Sequence, residues 1–430
     1  MKILILGATG FIGSEIARKL ALQGHQVTGL GRDPQRTKYK LPDMQWVSTD
    51  LARIGEPSAW QALVESHDAI VNCAGALQDG LADNLAATQE KSMLALYQAA
   101  QAAGGRLIIQ ISARTAGAAS SLPFLATKRR ADEALVESGL PYVILRPALV
   151  IGRNSHGGTS LLRALASMPR ILPLTHADSP VQTVAIGAVA QMVLLALTGS
   201  IPPKSDVDLA ADEKHTLGSL VLLHRQWLGL PTARIISLPP AIARPVSWLA
   251  DLAGRLGWRS PLRSTAMQVM SEGVITSART DARHYGVLLK TAQQTLQASP
   301  SGVQDLWFAR LYLLKPAIIL CLSLFWLLSG LIPLFDLPRA SGHFLPFMPS
   351  TAAVAITVAT CVLDMALGLA VLVRPFARRA MLGMLMVTAT YLAGGTVLEP
   401  GLWLDPLGPL VKVLPSILLT LVALATLDER

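Results

Sequence analysis

Three glycines near the start of the chain have the spacing of a phosphate-binding turn. Gly7, Gly10 and Gly13 follow an apolar run at Lys2–Leu6, and a helical pattern occupies Phe11–Leu22. In such a turn the first glycine permits the tight bend, the second lets the backbone approach a pyrophosphate, and the third allows close helix–strand packing. The free N–H groups and the dipole at a helix N-terminus favour an anion. The segment therefore predicts a dinucleotide site, and the alternative is a glycine-rich turn without a ligand.

The residue that follows the second predicted strand, Gln26–Leu30, indicates which dinucleotide is bound. An acidic residue at this place takes the ribose 2′-hydroxyl of NAD(H), whereas a basic residue accommodates the 2′-phosphate of NADP(H). Arg32 occupies this place, and Asp33 stands next to it. We therefore expect NADP(H) in preference to NAD(H). The alternative is that Arg32 is only a solvated surface residue.

Strand and helix patterns continue to alternate beyond this unit. Further strands are predicted in "MQWVSTDL", at Asp68–Asn72, in "GRLIIQISA" and in "LPYVILRPALVIG", with helical stretches at 57–66, 83–103 and 121–139. This alternation is typical of an α/β fold, a Rossmann-like doubly wound parallel sheet with helices on both faces. Ligands bind at the carboxyl ends of such strands. Ser112, Arg114 and the Phe124–Lys128 segment follow the fifth strand, so we expect them near the nicotinamide end.

The apolar character of the chain is concentrated in its C-terminal part. Hydrophobic residues make up 51% of the chain and charged residues 15%. From Pro316 onward six Lys/Arg balance six Asp/Glu, so the net charge of +9 lies in residues 1–315. A basic soluble part suits anionic lipid headgroups and a phosphate-rich cofactor. Nucleic acid is disfavoured as a partner, because the basic residues are scattered and aromatic residues are few.

Four segments of this part predict membrane-spanning helices. They are Ala317–Leu334, Ser350–Val373, Ala380–Leu398 and Leu407–Leu427. Each is close to the roughly 20 residues that cross a bilayer core. The alternative, four buried helices of a soluble domain, leaves too few polar faces for water. We therefore expect an all-α four-helix transmembrane domain at residues 306–430, preceded by a Rossmann-like domain at 1–202 and a small substrate lobe with membrane-proximal helices at 203–305.

The arginines between the second and third predicted spans indicate an orientation. Arg374, Arg378 and Arg379 lie in that loop, and loops rich in Lys/Arg stay on the cytoplasmic side. We expect a multi-pass protein of the cytoplasmic (inner) membrane with its N-terminal domain and its C-terminus in the cytoplasm. The expected partners are the lipid bilayer and membrane proteins that contact the spans.

Asp364 is the most costly residue in the predicted spans, because a carboxylate at mid-membrane needs a partner inside the bundle. Tyr391 and Lys412 are the candidate partners. One interpretation is a proton or ligand site. The other, which we favour, is a structural hydrogen bond between helices.

The segment "PPAIARPVSWLADLAGRLGWRSPLR" mixes apolar stripes with arginines. It predicts either an amphipathic helix that lies on the bilayer or a helix that packs on the Rossmann-like core. Trp248, Trp258, Arg255 and Arg259 suit a membrane interface. Elsewhere, Cys73, Cys321 and Cys361 share no metal-ligand spacing and form no evident disulfide framework, so we expect no metal site.

Several linked motifs resemble an atypical member of the extended short-chain dehydrogenase/reductase superfamily. They are "GATGFIG" at 7–13, "DL" at 50–51, "CAG" at 73–75, "QISA" at 110–113, "TK" at 127–128 and "LRPALVIGR" at 145–153. The most similar branch includes an NAD(P)-binding accessory subunit of respiratory complex I, which "GGTSLLRALASMPRILPL" at 157–174 also resembles. The tail resembles a DoxX-like membrane domain in "LDMALGLAVL" and "DPLGPLVKVLP".

The first resemblance implies a role for individual residues. The pyrophosphate would be held by the residues of the glycine turn, Gly7, Thr9, Gly10, Phe11, Ile12 and Gly13. Arg32 would meet the 2′-phosphate, and Asp50 and Leu51 would border the adenine. Ala74 and Gly75 would line the ribose path, Lys128 would bind the nicotinamide ribose, and Pro147 would border the nicotinamide. In this family a tyrosine hydroxyl exchanges a proton while hydride moves, and a nearby lysine lowers its pKa. Here Phe124 occupies the tyrosine position, and "TVAIGAV" at 183–189 replaces the usual motif of the substrate lobe.

Ser112 and Lys128 are left as the candidate catalytic groups. The serine hydroxyl does not readily become a base at neutral pH, and Lys128 acts only if burial lowers its pKa. We expect a membrane-anchored NADPH-dependent oxidoreductase that transfers hydride to an apolar membrane-resident substrate such as a quinone, an isoprenoid or a lipid. The alternatives are a non-catalytic NADP(H)-binding structural, sensor or assembly factor of a membrane complex, and transport through the four spans.

Overall fold

The computed structural model describes residues 1–75, 78–81, 83–114, 121–276, 282–406 and 408–428. They belong to two compact units. The first comprises Met1–Gly254 and Ser260–Leu306, and the second comprises Arg255–Arg259 and Trp307–Arg430. The short segment Arg255–Arg259 thus packs with the C-terminal unit, although the chain around it belongs to the first.

Strands and helices alternate along the first unit. Its elements in chain order are β1 (Lys2–Leu6), α1 (Phe11–Leu22), β2 (Gln26–Gly31), α2 (Gln35–Lys40), β3 (Gln45–Ser48), α3 (Pro57–Glu65), β4 (Ala69–Asn72), α4 (Ser92–Ala102), β5 (Leu107–Ile111), α5 (Pro123–Glu137), β6 (Tyr142–Pro147), β7 (Leu149–Ile151), α6 (Gly158–Ala166), β8 (Ile171–Leu174), β9 (Pro180–Val181), β10 (Thr183–Ala185), α7 (Ile186–Leu197), β11 (Ser205–Leu209), β12 (His215–Thr216), α8 (Leu217–Trp227), β13 (Arg234–Ser237), α9 (Pro240–Arg255), α10 (Ser264–Glu272) and α11 (Ala292–Gln297). A 3-10 turn at Leu51–Arg53 follows β3, and a π-helical turn at Ala86–Lys91 leads into α4.

Seven parallel strands form the main sheet in the order β11-β6-β5-β4-β1-β2-β3. Both β2 and β4 pair with β1, so the strand order reverses there and leaves a crevice at the carboxyl end of β1. Successive residues of β1 face two separate cores: Ile3 and Ile5 face one, Leu4 and Leu6 the other, and all four are fully buried. A sheet covered on both faces explains the unbroken apolar run. The predicted doubly wound parallel sheet is confirmed.

Two strand predictions differ from the structure. The segment predicted as one sixth strand divides at Ala148, because β7 leaves the main sheet and pairs with β10. The seventh strand, β11, was not predicted. Its sequence "SDVDL" contains Asp206 and Asp208, and aspartate is depleted in strands.

The second unit is helical. Its elements in chain order are α12 (Val303–Leu331), which begins in the first unit, a 3-10 turn (Ile332–Asp336), α13 (Leu337–Ser341), a 3-10 turn (Gly342–Phe344), α14 (Ser350–Ala370), α15 (Arg374–Leu398), 3-10 turns at Pro400–Trp403 and Val411–Val413, and α16 (Leu414–Thr426). Small residues bring the helices together: a Cβ added to Gly330 would lie 2.4 Å from the Cys361 carbonyl oxygen. Ser323 on α12 donates a 2.7 Å hydrogen bond to the Gly368 carbonyl on α14. Close backbone approach and such polar contacts are typical of helices packed within a membrane.

Three helical stretches of the described chain are long and apolar enough to cross a membrane: Val303–Phe344, Ser350–Ala370 and Arg374–Leu398. They correspond to the first three predicted spans. The fourth is shorter than predicted: an apolar helix covers Val411–Thr426, and the predicted start at Leu407 lies outside the described residues. Pro409 stands just before this helix, and a helix that continued through it would lack one backbone N–H donor.

The surface of the second unit is apolar. Large side chains such as Met386, Leu418 and Leu320 are exposed by 71%, 66% and 61%. Contiguous exposed apolar surface of this kind indicates contact with a membrane or a partner. Asp364 is buried, and the Tyr391 hydroxyl donates a 2.9 Å hydrogen bond to its Oδ1 atom. Of the two candidate partners, Tyr391 is therefore the one in contact, whereas the Lys412 side chain is exposed.

Candidate functional site

The turn after β1 accepts only glycine at two of its three glycine positions. Gly7 has a φ of +71°, and a Cβ there would lie 2.9 Å from the Cα atom of Ala74. A Cβ on Gly13 would lie 2.3 Å from the Gly7 carbonyl oxygen. These contacts bring the turn, the start of α1 and the loop after β4 together at the crevice where the strand order reverses. The geometry fits the predicted close approach of backbone to a pyrophosphate.

Helix α1 begins at the same place. Gly10 is its N-cap, and no side chain caps this end of the helix, so its first N–H groups are available to an anion. Phe11 and Ile12 pack partly buried against the core beneath the turn. Thr9 packs against the end of β2, since a Cβ on Gly31 would lie 2.6 Å from its methyl carbon. The residues present thus fit a dinucleotide pyrophosphate.

The loop after β4 connects the glycine turn with Lys128. The Ala74 N–H donates a 2.9 Å hydrogen bond to Oδ1 of Asn72, whose amide nitrogen donates to Gln110 on β5. A Cβ on Gly75 would lie 3.4 Å from the Lys128 Nζ atom. The residues predicted to contact the pyrophosphate, the ribose and the nicotinamide therefore follow one another along the carboxyl edge of the sheet. The sequence analysis missed Asn72, although a polar residue at the end of a buried strand is a recognisable signal.

The Lys128 ammonium lies on the first turns of α5 and donates a 3.2 Å hydrogen bond to the Ile111 carbonyl at the end of β5. Burial lowers the pKa of Lys128, and the nearby Asp132 and Cys73 oppose that shift. Burial raises the pKa of the Cys73 thiol to about 12, so this cysteine stays protonated at neutral pH. The Lys128 ammonium therefore lies between the end of β5 and the loop after β4.

Ser112 belongs to a buried network that the sequence analysis missed. Its hydroxyl donates a 2.6 Å hydrogen bond to Oδ2 of Asp132, and Nη1 of Arg146 donates to the same oxygen over 2.9 Å. Arg146 also binds Asp206 through two hydrogen bonds of 2.7 and 3.1 Å. Burial raises the pKa of Asp132, while Arg146 and Ser112 oppose the shift. Arg146 in the apolar strand "YVILRP" could have predicted this network, because an arginine is buried only when it is paired.

Phe124 lies in an apolar cluster. It is 7% exposed and belongs to a group with Leu85, Leu122 and Leu125, against which Val269 of α10 packs. The ring is thus surrounded by hydrocarbon at the position where the resemblance expects a tyrosine hydroxyl. Arg114, which the sequence also associates with this region, donates to the Ile275 carbonyl over 2.9 Å.

The predicted adenosine-side residues follow β2 and β3. The Arg32 guanidinium donates a 2.9 Å hydrogen bond to Oδ1 of Asp83, so a 2′-phosphate would share the arginine with a carboxylate. The Asp50 carboxylate accepts the Ala52 N–H and caps the 3-10 turn, in which Leu51 is buried.

Pro147, the predicted nicotinamide neighbour, ends β6, where it pairs in register with Leu209 of β11. The missing N–H of this proline coincides with the departure of the chain toward β7.

Two family models match the chain. An NAD(P)H-binding family matches residues 7–170, and the DoxX-like family matches residues 323–421. The chain therefore joins an NAD(P)-binding Rossmann domain of the short-chain dehydrogenase/reductase type to a DoxX-like C-terminal domain, as the sequence motifs predicted.

Curated relatives are similar to part of this chain. An uncharacterized protein of Mycobacterium tuberculosis is 26% identical over an aligned segment that makes up 59% of this chain and 26% of that protein. The ceramide reductase of Caulobacter vibrioides is 27% identical over 46% of this chain and 61% of its own length. The photosystem II assembly factor Ycf39 of a Synechocystis species is 27% identical over 34% of this chain and 44% of its own. The chain thus spans between a quarter and about three fifths of these relatives.

Solved structures share the fold. The triphenylmethane reductase of a Citrobacter species, complexed with NADP(H), superposes with a TM-score of 0.53 at 16% identity, covering 70% of this chain and all of that one. The Bordetella bronchiseptica enzyme WbmH in complex with NAD+ superposes with a TM-score of 0.52 at 17% identity, covering 69% of this chain and 96% of that one. At such identities the likeness establishes the Rossmann-like fold.

Proposed function

We propose that the chain is a membrane-anchored NADP(H)-dependent oxidoreductase whose acceptor is an apolar, membrane-resident molecule such as a quinone, an isoprenoid or a lipid. One observation carries the proposal. A Cβ on Gly7 would lie 2.9 Å from the Ala74 Cα atom, and a Cβ on Gly75 would lie 3.4 Å from the Lys128 Nζ atom. Lys128 itself donates to the Ile111 carbonyl at the end of β5, so the residues expected along a dinucleotide lie close together at the carboxyl edge of the sheet. The same chain carries three helices able to cross a membrane.

A nicotinamide bound along this edge would supply a hydride, which is one proton with two electrons. A quinone that accepts the hydride needs one further proton to become a quinol. The Lys128 ammonium is the donor we assign, because burial lowers its pKa and so eases proton release, and water then returns the proton. Ser112 is less suited to this step, since its own hydroxyl hydrogen is directed at Asp132.

The preference for NADP(H) is part of the proposal. Arg32 follows β2 at the place where a basic residue accommodates a 2′-phosphate. Its contact with Asp83 is exposed enough for a phosphate to compete, because surface ion pairs contribute only about 0–1 kcal/mol.

The acceptor class follows from the membrane domain and from the absence of a hydroxyl at Phe124. Hydride addition to a quinone leaves an anion that is less basic than the alkoxide formed from an isolated carbonyl, so it needs less help from a proton donor. A quinone also resides where the spans are. A relative named ceramide reductase supports a lipid as the second acceptor class.

The test uses the full chain in detergent or nanodiscs. NADPH oxidation is followed by absorbance with quinones and with aldehydes as acceptors. We expect quinone-dependent oxidation that Lys128→Met abolishes, while Arg129→Met, a change at the partly exposed neighbouring residue, leaves it intact. Bound NADPH that no acceptor oxidises would exclude the catalytic role.

The second candidate is a non-catalytic NADP(H)-binding factor that assembles with membrane proteins. Phe124 favours it, because the ring and its apolar surroundings exchange no proton. The relative named as a photosystem II assembly factor supports it as well. Under this alternative, the wild type binds NADPH without turnover, and Phe124→Tyr gains reductase activity.

We further propose that the N-terminal domain and the C-terminus face the cytoplasm, which the arginines Arg374, Arg378 and Arg379 support. Alkaline phosphatase fused after residue 428 is expected to be inactive in intact bacterial cells, and an active fusion would reverse the orientation.

A further inference from the structure

Helix α9 buries small side chains and exposes large apolar ones. The residues it buries are small: Ser247, Ala250 and Gly254. The residues it turns outward are large and apolar, with Trp248, Leu249 and Ile242 exposed by 66%, 58% and 56%, and Val246 and Leu252 beside them. A helix of a water-soluble surface buries its large residues instead. The outward face of α9 therefore needs an apolar environment.

The charges of α9 lie at one edge of this face. Arg244 and Arg255 are both exposed and are eleven positions apart, which is about three turns, so they lie on nearly the same line of the helix. Trp248, four positions after Arg244, lies on that line as well. The single acidic residue of the helix, Asp251, is bound by Arg263 over 3.1 Å. The exposed charge of the helix is thus entirely positive.

The chain that follows α9 is anchored at the end of the spans. Trp258, three positions after Arg255, donates its indole N–H to the Leu372 carbonyl between α14 and α15 over 2.6 Å. The Arg374 guanidinium lies 5.5 Å from the centre of the same indole ring. Tryptophan and arginine are enriched where membrane helices meet water. Covalent continuity therefore ties the C-terminal end of α9 to the level of a membrane interface.

We infer that α9 lies in the surface of the bilayer, with Ile242, Val246, Leu249 and Leu252 among the acyl chains and Arg244 and Arg255 at anionic lipid headgroups. Helices with a large apolar face, tryptophan and arginine at its edge lie in the interface plane and bind more strongly to anionic lipids. A second copy of the chain or another protein would cover the apolar face but would not require the arginines.

The end of helix α9 and the chain after it also contact the loop that follows β4. The Gly254 carbonyl lies 3.3 Å from the place of a Cβ on Gly80, and Arg263 donates to the Asp79 carbonyl over 2.9 Å. Both residues belong to the chain after β4 that leads to Asp83, the partner of Arg32. Lipid contact through α9 would thus hold this loop beside the membrane.

The experiment places a fluorescent label at a single cysteine in the full chain, in a background with the three native cysteines replaced by alanine. Leu249→Cys reports the proposed face, and Leu22→Cys, at an exposed apolar position of α1, is the matched control: Leu249 is 58% exposed and Leu22 70%. The protein is reconstituted in vesicles of phosphatidylcholine, with or without phosphatidylglycerol, that carry quenchers on their acyl chains.

We expect acyl-chain quenchers to quench the label at position 249, more strongly with phosphatidylglycerol, and to leave the label at position 22 unquenched. The double variant Arg244→Gln/Arg255→Gln is expected to lose the response to phosphatidylglycerol, because each arginine near the surface shifts the equilibrium by roughly fivefold. A water-exposed label at position 249 would overturn the inference. A label that is shielded in detergent and unquenched in vesicles would also overturn it, in favour of a protein occupant.

Discussion

The hydroxyl of Ser112 and the carboxylate of Asp132 are joined by a buried hydrogen bond of 2.6 Å, and Arg146 donates to the same carboxylate oxygen. Asp132 lies one helical turn after Lys128 on α5. A candidate catalytic serine is therefore part of a charge network that links β5, α5 and β6. The network fixes the ends of the elements that carry Ser112 and Lys128, and its main contribution is to the stability of the site.

The first prediction concerns Asp132→Asn. The substitution removes the negative charge that Arg146 and Ser112 approach, and breaking a buried ion pair costs about 3–5 kcal/mol. We expect the free energy of unfolding of the first unit to fall by about 3 kcal/mol, since Asp206 still holds the arginine. Denaturant titration of the purified full chain measures this. Glu133→Gln, at the exposed neighbouring residue, is the control, and equal loss in both variants would contradict the role of the network.

The second prediction concerns the pH dependence that Lys128 imparts to stability. Because burial lowers its pKa below the usual value of about 10.4, the unfolded chain holds the proton more tightly than the folded chain does. Stability therefore rises with pH between the folded pKa and about 10.4. The wild type is expected to gain thermal stability relative to Lys128→Met as the pH rises toward about 10.4.

Arg129→Met serves as the matched control for that comparison, because the Arg129 side chain is 43% exposed and the substitution removes a neighbouring positive charge. If the difference in thermal stability between the wild type and Lys128→Met does not change with pH, the lysine is not desolvated.

Much of the fold was predictable because local signals were consistent. The bounds of α1 agree with the prediction, since the glycine turn before it and the apolar stripe within it point to the same element. Strand β11 was not predicted because aspartate is depleted in strands, and the structure explains one of its two aspartates: Asp206 pairs with Arg146. Its place in the sheet depends on a partner that is distant in sequence.

The site was predictable where one segment contains the whole signal. The glycine turn is such a segment, whereas the Asp132–Arg146 pair joins residues of different elements and appears only once α5 packs beside β6. Likewise, the contact of Arg32 with Asp83 crosses 51 positions of the chain. Sequence spacing alone does not reveal that the arginine already has a carboxylate beside it.

The third prediction concerns cofactor preference. Arg32→Ala removes the cation expected to meet the 2′-phosphate, and a hydrogen bond to a charged group contributes about 1.5–3 kcal/mol. We expect NADPH binding to weaken by roughly 10- to 100-fold and NADH binding to change little. Fluorescence titration with both nucleotides measures the two constants. Arg53→Ala, at a more exposed arginine, should leave both unchanged, and a parallel loss for NADH would contradict the assignment.

The fourth prediction tests the glycine turn. A Cβ on Gly13 would lie 2.3 Å from the Gly7 carbonyl, so Gly13→Ala forces the turn and α1 apart. We expect overpacking to cost roughly 1–3 kcal/mol of stability. NADPH binding should weaken by about tenfold or more as the helix N-terminus moves from its anion. Gly187→Ala, where no atom would lie within 4 Å of the new Cβ, should leave both quantities close to wild type.

The fifth prediction distinguishes the two interpretations of Asp364. If the carboxylate is a structural partner of Tyr391, Tyr391→Phe should lower the stability of the membrane domain by about 0.6–1.7 kcal/mol. Asp364→Asn keeps an oxygen that accepts the tyrosine hydrogen and should be close to wild type in both stability and NADPH oxidation. Thr390→Val, which removes a bond within α15 only, is the control. Unfolding in mixed micelles measures the stability; a folded Asp364→Asn variant without activity would instead indicate a proton or ligand site.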